Sequence, residues 1–281
     1  MVTVPKWIEN RIKARKPIDL TSVNTVIYDE ADEIFMQEGN HSSIAALQTH
    51  LGQKLAIQYQ TVLFSATFND TVQDQIRKFF EQLSEFKLKT EALKLKGVKQ
   101  FRLVVNESDK PKFVNDVYTQ LDSYQTMIFV QKKVDATNLQ DQMSKMGIKA
   151  EKLIGETDPK MRDQIIDEFR KTNITSLIST NVLARGIDVP EVDLVINYEV
   201  PFIKQFGFKN PDYANYLHRV GRTGRFGTDG VSVTLVSQQT EDDVDDDLVN
   251  QIEKYYSIEI KQLKDISELV EILEEMRKGI E

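Results

Sequence analysis

Short apolar runs recur along this chain, separated by longer stretches in which apolar residues fall every three or four positions. The short runs read as buried strands and the periodic stretches as amphipathic helices. The predicted strands are Val23–Tyr28, Thr61–Phe64, Phe101–Val105, Thr126–Val130, Ala150–Leu153, Thr175–Ser179, Leu194–Asn197 and Val231–Val236. The predicted helices cover Met1–Lys16, Asn69–Phe80, Lys110–Leu121, Val134–Met146, Pro159–Arg170, Tyr213–Val220, Asp243–Tyr255 and Ile266–Arg277. Alternation of this kind argues for parallel βα units in an α/β fold. Glu85–Gly97 is Lys-rich and weakly patterned. The linker is placed there, at 92–97, between a first domain over 1–91 and a second over 98–281. The second carries a full βα series, whereas the first opens on a helix fragment.

Composition narrows the options. The 281 residues suffice for one large or two ordinary domains. With 40% hydrophobic and 28% charged residues the chain reads as globular. No apolar run approaches the roughly 20 residues of a membrane helix, so no membrane partner is expected. No secretory segment follows Met1, so no targeting peptide is expected. There are no cysteines. That excludes disulfides, thiolate metal sites and cysteine nucleophiles, and suits a reducing compartment. The 3 histidines are scattered, which argues against a histidine metal site. A net charge of −8 argues against nucleic-acid binding through bulk positive charge. Any such binding has to come from local, shaped contacts. The acidic stretch Glu241–Asp247 reads as a solvated helix start or as an acidic docking site.

Four stretches carry candidate chemistry. Tyr216–Gly227 reads YLHRVGRTGRFG, with Arg219, Arg222 and Arg225 three residues apart. On a helix this spacing gathers the guanidiniums on one face, where they suit phosphate. A basic patch on a solvated helix is the plainer alternative. Asp29-Glu30 ends an apolar strand, the place where α/β sheets bind ligands. The pair could hold Mg²⁺ through its waters, or cap the next helix. Ser65-Ala66-Thr67 ends another strand. Its hydroxyls could bond to Asp32 or the backbone, or serve an ordinary turn. Thr180–Pro190, TNVLARGIDVP, offers Gly186 for close backbone approach and Asp188 as an acceptor for ribose hydroxyls. Thr180 and Asn181 stand at a strand end, where backbone N–H groups favour phosphate.

Taken together, the chain resembles a DEAD-box RNA helicase. DEAD at 29–32, SAT at 65–67, IFV at 128–130, ARGIDVP at 184–190 and HRVGRTGR at 218–225 follow in the family's order and spacing. SATFNDTV, TNVLARGIDVP and the long VPFIKQFGFKNPDYANYLHR make it similar to the nuclear-pore mRNA-export type. The resemblance implies two RecA-like parallel-sheet domains, the second complete. It implies ATP hydrolysed between them, with Asp29 and Glu30 serving Mg²⁺ and the hydrolytic water. Asp32, Ser65, Thr67, His218 and Arg219 would couple hydrolysis to domain closure. Gly186 and Asp188 would touch the nucleotide, with Arg222 and Arg225 as arginine fingers. Gly155, Arg162, Thr180 and Asn181 would hold the RNA backbone, which positions without reading sequence. Implied partners are RNA, a nucleoporin and an export-factor activator. The implied state is a monomer, cytoplasmic and nuclear, at the nuclear pore.

Departures from the family pattern are as informative. No G-x-x-x-x-G-K-[ST] string occurs, and no glutamine-containing adenine motif. The T-P-G-R-like motif shrinks to Pro5, and Q-x-x-R to Pro159–Arg162. Gln131-Lys132-Lys133 follows IFV in place of small polar residues. The chain thus resembles a helicase with an incomplete first domain lacking the P-loop strand, expected to be inactive alone. The alternatives are a non-catalytic RNA- or partner-binding module, or a family member acting in translation initiation.

Overall fold

The structure is a computed structural model that describes residues 1–54, 59–65, 67–68, 70–86, 97–121, 124–181, 192–205, 207–224, 229–237 and 244–278. The chain divides into two compact units, Met1–Lys87 and Leu88–Glu281. Nearly all of the expected linker falls outside the described residues.

The first unit runs α1 (Pro5–Ile12), β1 (Thr25–Tyr28), α2 (Ala31–Met36), α3 (Glu38–Lys54), β2 (Gln60–Leu63) and α4 (Asp70–Arg77). Among the described residues its sheet has two strands, β1 and β2, paired in parallel from Thr25↔Gln60 to Tyr28↔Leu63. Alternate strand residues point to opposite faces. Val26, Tyr28 and Leu63 pack with Phe35, Ile44 and Ile76 of the helices. The other face is open: Ile27 is 60% exposed and Phe64, just past β2, is 57% exposed. The expectation that both strands are buried is therefore corrected. Helices cover one face only, so each strand is half-buried. Sequence reading also missed α3, although Ile44, Leu47 and Leu51 recur at helical spacing on its inner side.

Among the described residues the second unit holds a seven-stranded parallel sheet. Its strands are β3 (Val98–Val105), β4 (Thr126–Val130), β5 (Ala150–Leu153), β6 (Ser176–Thr180), β7 (Leu194–Asn197), β10 (Gly230–Ser237) and β11 (Lys261–Gln262). They lie in the order β11-β3-β10-β7-β4-β6-β5. Helices α5 (Lys110–Gln120), α6 (Lys133–Lys145) and α10 (Ile266–Lys278) share a core with Ile128, Val130 and Ile196. On the other face α7 (Pro159–Arg170) packs on Met127, Phe129 and Leu177. There too α8 (Tyr213–Val220) and α9 (Val244–Tyr256) share a core with Val236. β4 and β6 are buried along their whole length, as continuous apolar runs predict for a sheet covered on both faces.

Between β7 and α8 an antiparallel hairpin intervenes, β8 (Phe202–Gln205) and β9 (Phe208–Pro211), which sequence reading missed. Gly207 turns it at φ +85°. Lys209 Nζ sits 4.8 Å over the Phe202 ring and 3.2 Å from Asp245 Oδ1, tying the hairpin to α9.

Candidate functional site

In the first unit the chemistry gathers where β1 and β2 end. Ala31 N donates to Phe64 O at 2.8 Å, holding the DEAD turn against the end of β2. Glu30 takes left-handed backbone angles, φ 54° and ψ 49°, a strained conformation for a residue with a Cβ. Asp29 Oδ1 accepts from Glu30 N at 3.0 Å. Thr67 Oγ1 donates to buried Asp32 Oδ2 at 2.6 Å, and Ser65 Oγ donates to Thr67 O at 2.6 Å. The structure thus brings Asp32, Ser65 and Thr67 together, with Asp29 and Glu30 one turn away. Two adjacent carboxylates at a strand end are hard oxygen donors of the kind a hydrated divalent cation takes.

In the second unit the sheet register builds a rim. Leu153 pairs with Ser179 and Val130 with Thr180. Gly155, Asn181 and Gln131 therefore stand beside one another just past the ends of β5, β6 and β4. Gly155 is exposed in the turn that leads to α7. Asp158 caps α7, its carboxylate accepting from Lys160 N at 2.9 Å, with Pro159 at the first helical position. Arg162, in the first turns, reaches Thr157 O of the same loop at 3.5 Å. Thr180 Oγ1 is buried with no hydrogen-bond partner among the described residues.

Behind this rim lies Arg219, 0% exposed. Its Nε and Nη2 both donate to Asn181 Oδ1, at 2.8 and 2.5 Å. Nη1 donates to Asn197 Oδ1 and Glu199 O, at 3.2 and 3.0 Å, and Nη2 also to Gln131 Oε1 at 3.4 Å. The guanidinium lies 5.3 Å from the Phe129 ring centre. Burial lowers its pKa to about 10, which leaves it charged. A guanidinium has five N–H donors; all five here are turned inward. Beside it, burial pushes the Glu199 carboxyl up to about 7. Glu199 lines a cleft of about 640 Å³ with Gln131, Asp135, Lys204 and Lys110. Lys110 is fully buried, its Nζ 2.8 Å from Glu107 Oε2.

Comparison with known proteins matches these two halves to two families. Residues 1–75 match the DEAD/DEAH box helicase family and residues 109–227 the helicase conserved C-terminal domain. ATP-dependent RNA helicase dbp5 of Aspergillus clavatus is 37% identical over 283 residues, covering 99% of this chain and 56% of that protein. S. cerevisiae Dbp5 bound to RNA and ADP BeF3 superposes with a TM-score of 0.81 at 32% identity, over 94% of this chain and 66% of that one. This chain belongs to the DEAD-box RNA helicase family. A variant of S. cerevisiae Dbp5 solved with Nup159, Gle1, IP6 and ADP gives a TM-score of 0.62 at 29% identity, over 98% of this chain and 68% of that one. The chain spans about half the length of the curated relatives it matches.

Within the family's motifs the placements differ from the sequence expectation at one point. Arg219 and Arg222 do not share a helix face, because α8 ends at Val220 with Gly221 as its cap. Arg222 lies beyond it, buried, with Nε on His218 O at 3.3 Å. Gly224, at φ +68°, turns the chain on; a Cβ there would meet Val98 Cγ2 at 2.5 Å. Half-buried His218 stands on α8. Gly186, Asp188 and Arg225 lie outside the described residues. Sequence reading missed Gln131 and Glu199 as members of the site. The only signal was that Gln131 departs from the family pattern.

Proposed function

We propose that this protein is an ATP-dependent RNA helicase that remodels RNA or ribonucleoprotein in mRNA export. RNA is held by its backbone along the rim formed by Gly155, Arg162, Thr180 and Asn181. The observation that carries this reading is the sheet register, which aligns the ends of β5, β6 and β4. An exposed glycine, a cation and strand-end amides along one edge suit a sugar–phosphate chain and no particular base. The RNA in the S. cerevisiae Dbp5 complex supports the same substrate.

ATP is the proposed nucleotide, with Gly186, Asp188, Arg222 and Arg225 as its contacts from the second unit. Asp29 and Glu30 fit a Mg²⁺ held through its waters. That ion neutralises phosphate charge when bound. Asp32, Ser65, Thr67, His218 and Arg219 are the proposed coupling residues, within domains 1–91 and 98–281. The Nup159 and Gle1 in the Dbp5 complex support a nucleoporin and an activator as partners, and a place at the nuclear pore. A monomer is proposed. Among the described residues no helix is long and apolar enough to cross a membrane.

A second reading, a non-catalytic RNA-binding module, is favoured by one observation: this sequence holds no G-x-x-x-x-G-K-[ST] string. Phosphate release with and without RNA, by purified 1–281 and by a longer polypeptide carrying the string, separates the two. We expect RNA binding without RNA-stimulated hydrolysis from 1–281. In a longer polypeptide carrying the string, Arg222→Ala should cut turnover far more than RNA affinity. Turnover unaffected by Arg222→Ala there would overturn the helicase reading of this site.

A further inference from the structure

We propose that Gln131 and Arg219 are positioning residues for Asn181, presenting its side-chain amide to RNA as a hydrogen-bond donor. The inference rests on the RNA reading above and concerns which atoms of that rim do the work.

A guanidinium carries five N–H donors. It donates and never accepts. Two of its donors converge on one atom of Asn181. That atom must be the carbonyl oxygen, because an amide NH₂ facing the guanidinium would set donor against donor. The orientation of the Asn181 amide is therefore fixed chemically, and its NH₂ is turned away from Arg219. An NH₂ group is matched by phosphate oxygens and ribose hydroxyls, which accept.

The same logic excludes Arg219 itself from touching RNA. All five of its donors are committed to oxygens within the unit, and it has no exposed surface. Its role in the site runs through Asn181.

Gln131 sets where the guanidinium sits. Its Oε1 accepts from Arg219 Nη2, so its own orientation is fixed in the same way. Its Nε2 donates to Phe202 O at 2.9 Å and its backbone N to Glu199 Oε2 at 3.0 Å. Gln131 is thus anchored to the first residue of the β8–β9 hairpin. It fixes one side of the guanidinium while Asn197 and the Glu199 carbonyl fix the other. The register of β4 on β6, Val130↔Thr180, puts Gln131 directly beside Asn181. The chain Phe202–Gln131–Arg219–Asn181 links a hairpin to a rim residue through four side-chain hydrogen bonds, with no solvent-exposed charge in it.

The test is a double-mutant cycle on RNA affinity. The full 1–281 chain is titrated into a fluorescently labelled single-stranded oligouridylate at fixed salt. The four proteins are wild type, Gln131→Ala, Asn181→Ala and the double variant. Gln131→Met, which keeps the volume and drops both side-chain hydrogen bonds, repeats the cycle should the alanine variant fold poorly. We expect each single change to weaken binding about three- to tenfold, the size of one ordinary lost hydrogen bond. We expect the double variant to bind no more weakly than Asn181→Ala alone, because Gln131 acts through Asn181. A general loss of stability would act in both backgrounds and leave the effects multiplicative.

Wild-type affinity in Gln131→Ala and Gln131→Met, or penalties that multiply in the double variant, would overturn the inference while leaving the RNA reading intact. No RNA binding by the wild-type chain would overturn the RNA reading and the inference with it.

Discussion

At the scale of single residues, charge and hydrogen-bond capacity decide what each candidate can do. Asp32 is buried and accepts a 2.6 Å bond from the Thr67 hydroxyl. Hydrogen bonds to charged groups are worth about 1.5–3 kcal/mol. Thr67→Val, which keeps the shape, should therefore lower the stability of the first unit by that order. Trp7, the single tryptophan, lies in α1 of that unit. Its fluorescence in a urea titration reads the change directly, and an unmoved midpoint would show that the bond contributes nothing net. The bond between Thr67 and Asp32 was legible in the sequence as one option for the SAT hydroxyls; the partners of Arg219 were not. Arg219 reads as one more phosphate-seeking arginine until its four acceptors are known. Those acceptors come from positions 131, 181, 197 and 199, on other elements. Arg222 is similar: it lies beyond the end of α8, buried, with its Nε on His218 O, a partner that residue spacing does not name.

At the scale of elements, the positions of strands were legible in both units, whereas how far each strand is covered, and which strands pair only with each other, were not. β4, β5 and β7 and helices α7 and α8 fall on the residues their apolar runs and caps predict. β1 and β2 have equally apolar sequences yet leave one face open, because exposure depends on what else covers the sheet. The β8–β9 hairpin escaped notice because Phe202–Pro211 is mostly polar and its strands pair only with each other. The hairpin and the end of β7 enclose Glu199, whose carboxyl is raised to about 7 by burial, from an ordinary value of 4.5. As pH rises from 4.5, the unfolded chain gives up this proton first, and the folded chain holds it until about 7. The stabilisation from the buried neutral acid is whole below 4.5 and is lost as pH climbs through 7. At about 1.4 kcal/mol per pKa unit, the loss is roughly 3 kcal/mol at most. Glu199→Gln keeps an acceptor for Gln131 N and has no proton to lose. Its urea midpoint by circular dichroism should match the wild type near pH 5 and exceed it at pH 8. A constant difference across that range would mean that Glu199 ionises normally in the folded state.

At the scale of the whole molecule, the family was legible because the motifs are short, local strings in fixed order. The rim they build was less so. Gly155, Asn181 and Gln131 become neighbours only through the parallel register of β5, β6 and β4, which no single stretch of sequence states. An acidic chain of net charge −8 can hold RNA only through such a built edge. The account therefore stands on where RNA touches the second unit. The most direct measurement is ultraviolet crosslinking of 4-thiouridine-substituted single-stranded RNA to the full 1–281 chain, with the crosslinked peptides mapped by mass spectrometry. The account predicts crosslinks within Leu153–Arg162 and within Ser176–Asn181, of similar yield for RNAs of unrelated sequence. Crosslinks absent from both segments, or confined to one RNA sequence, would contradict it.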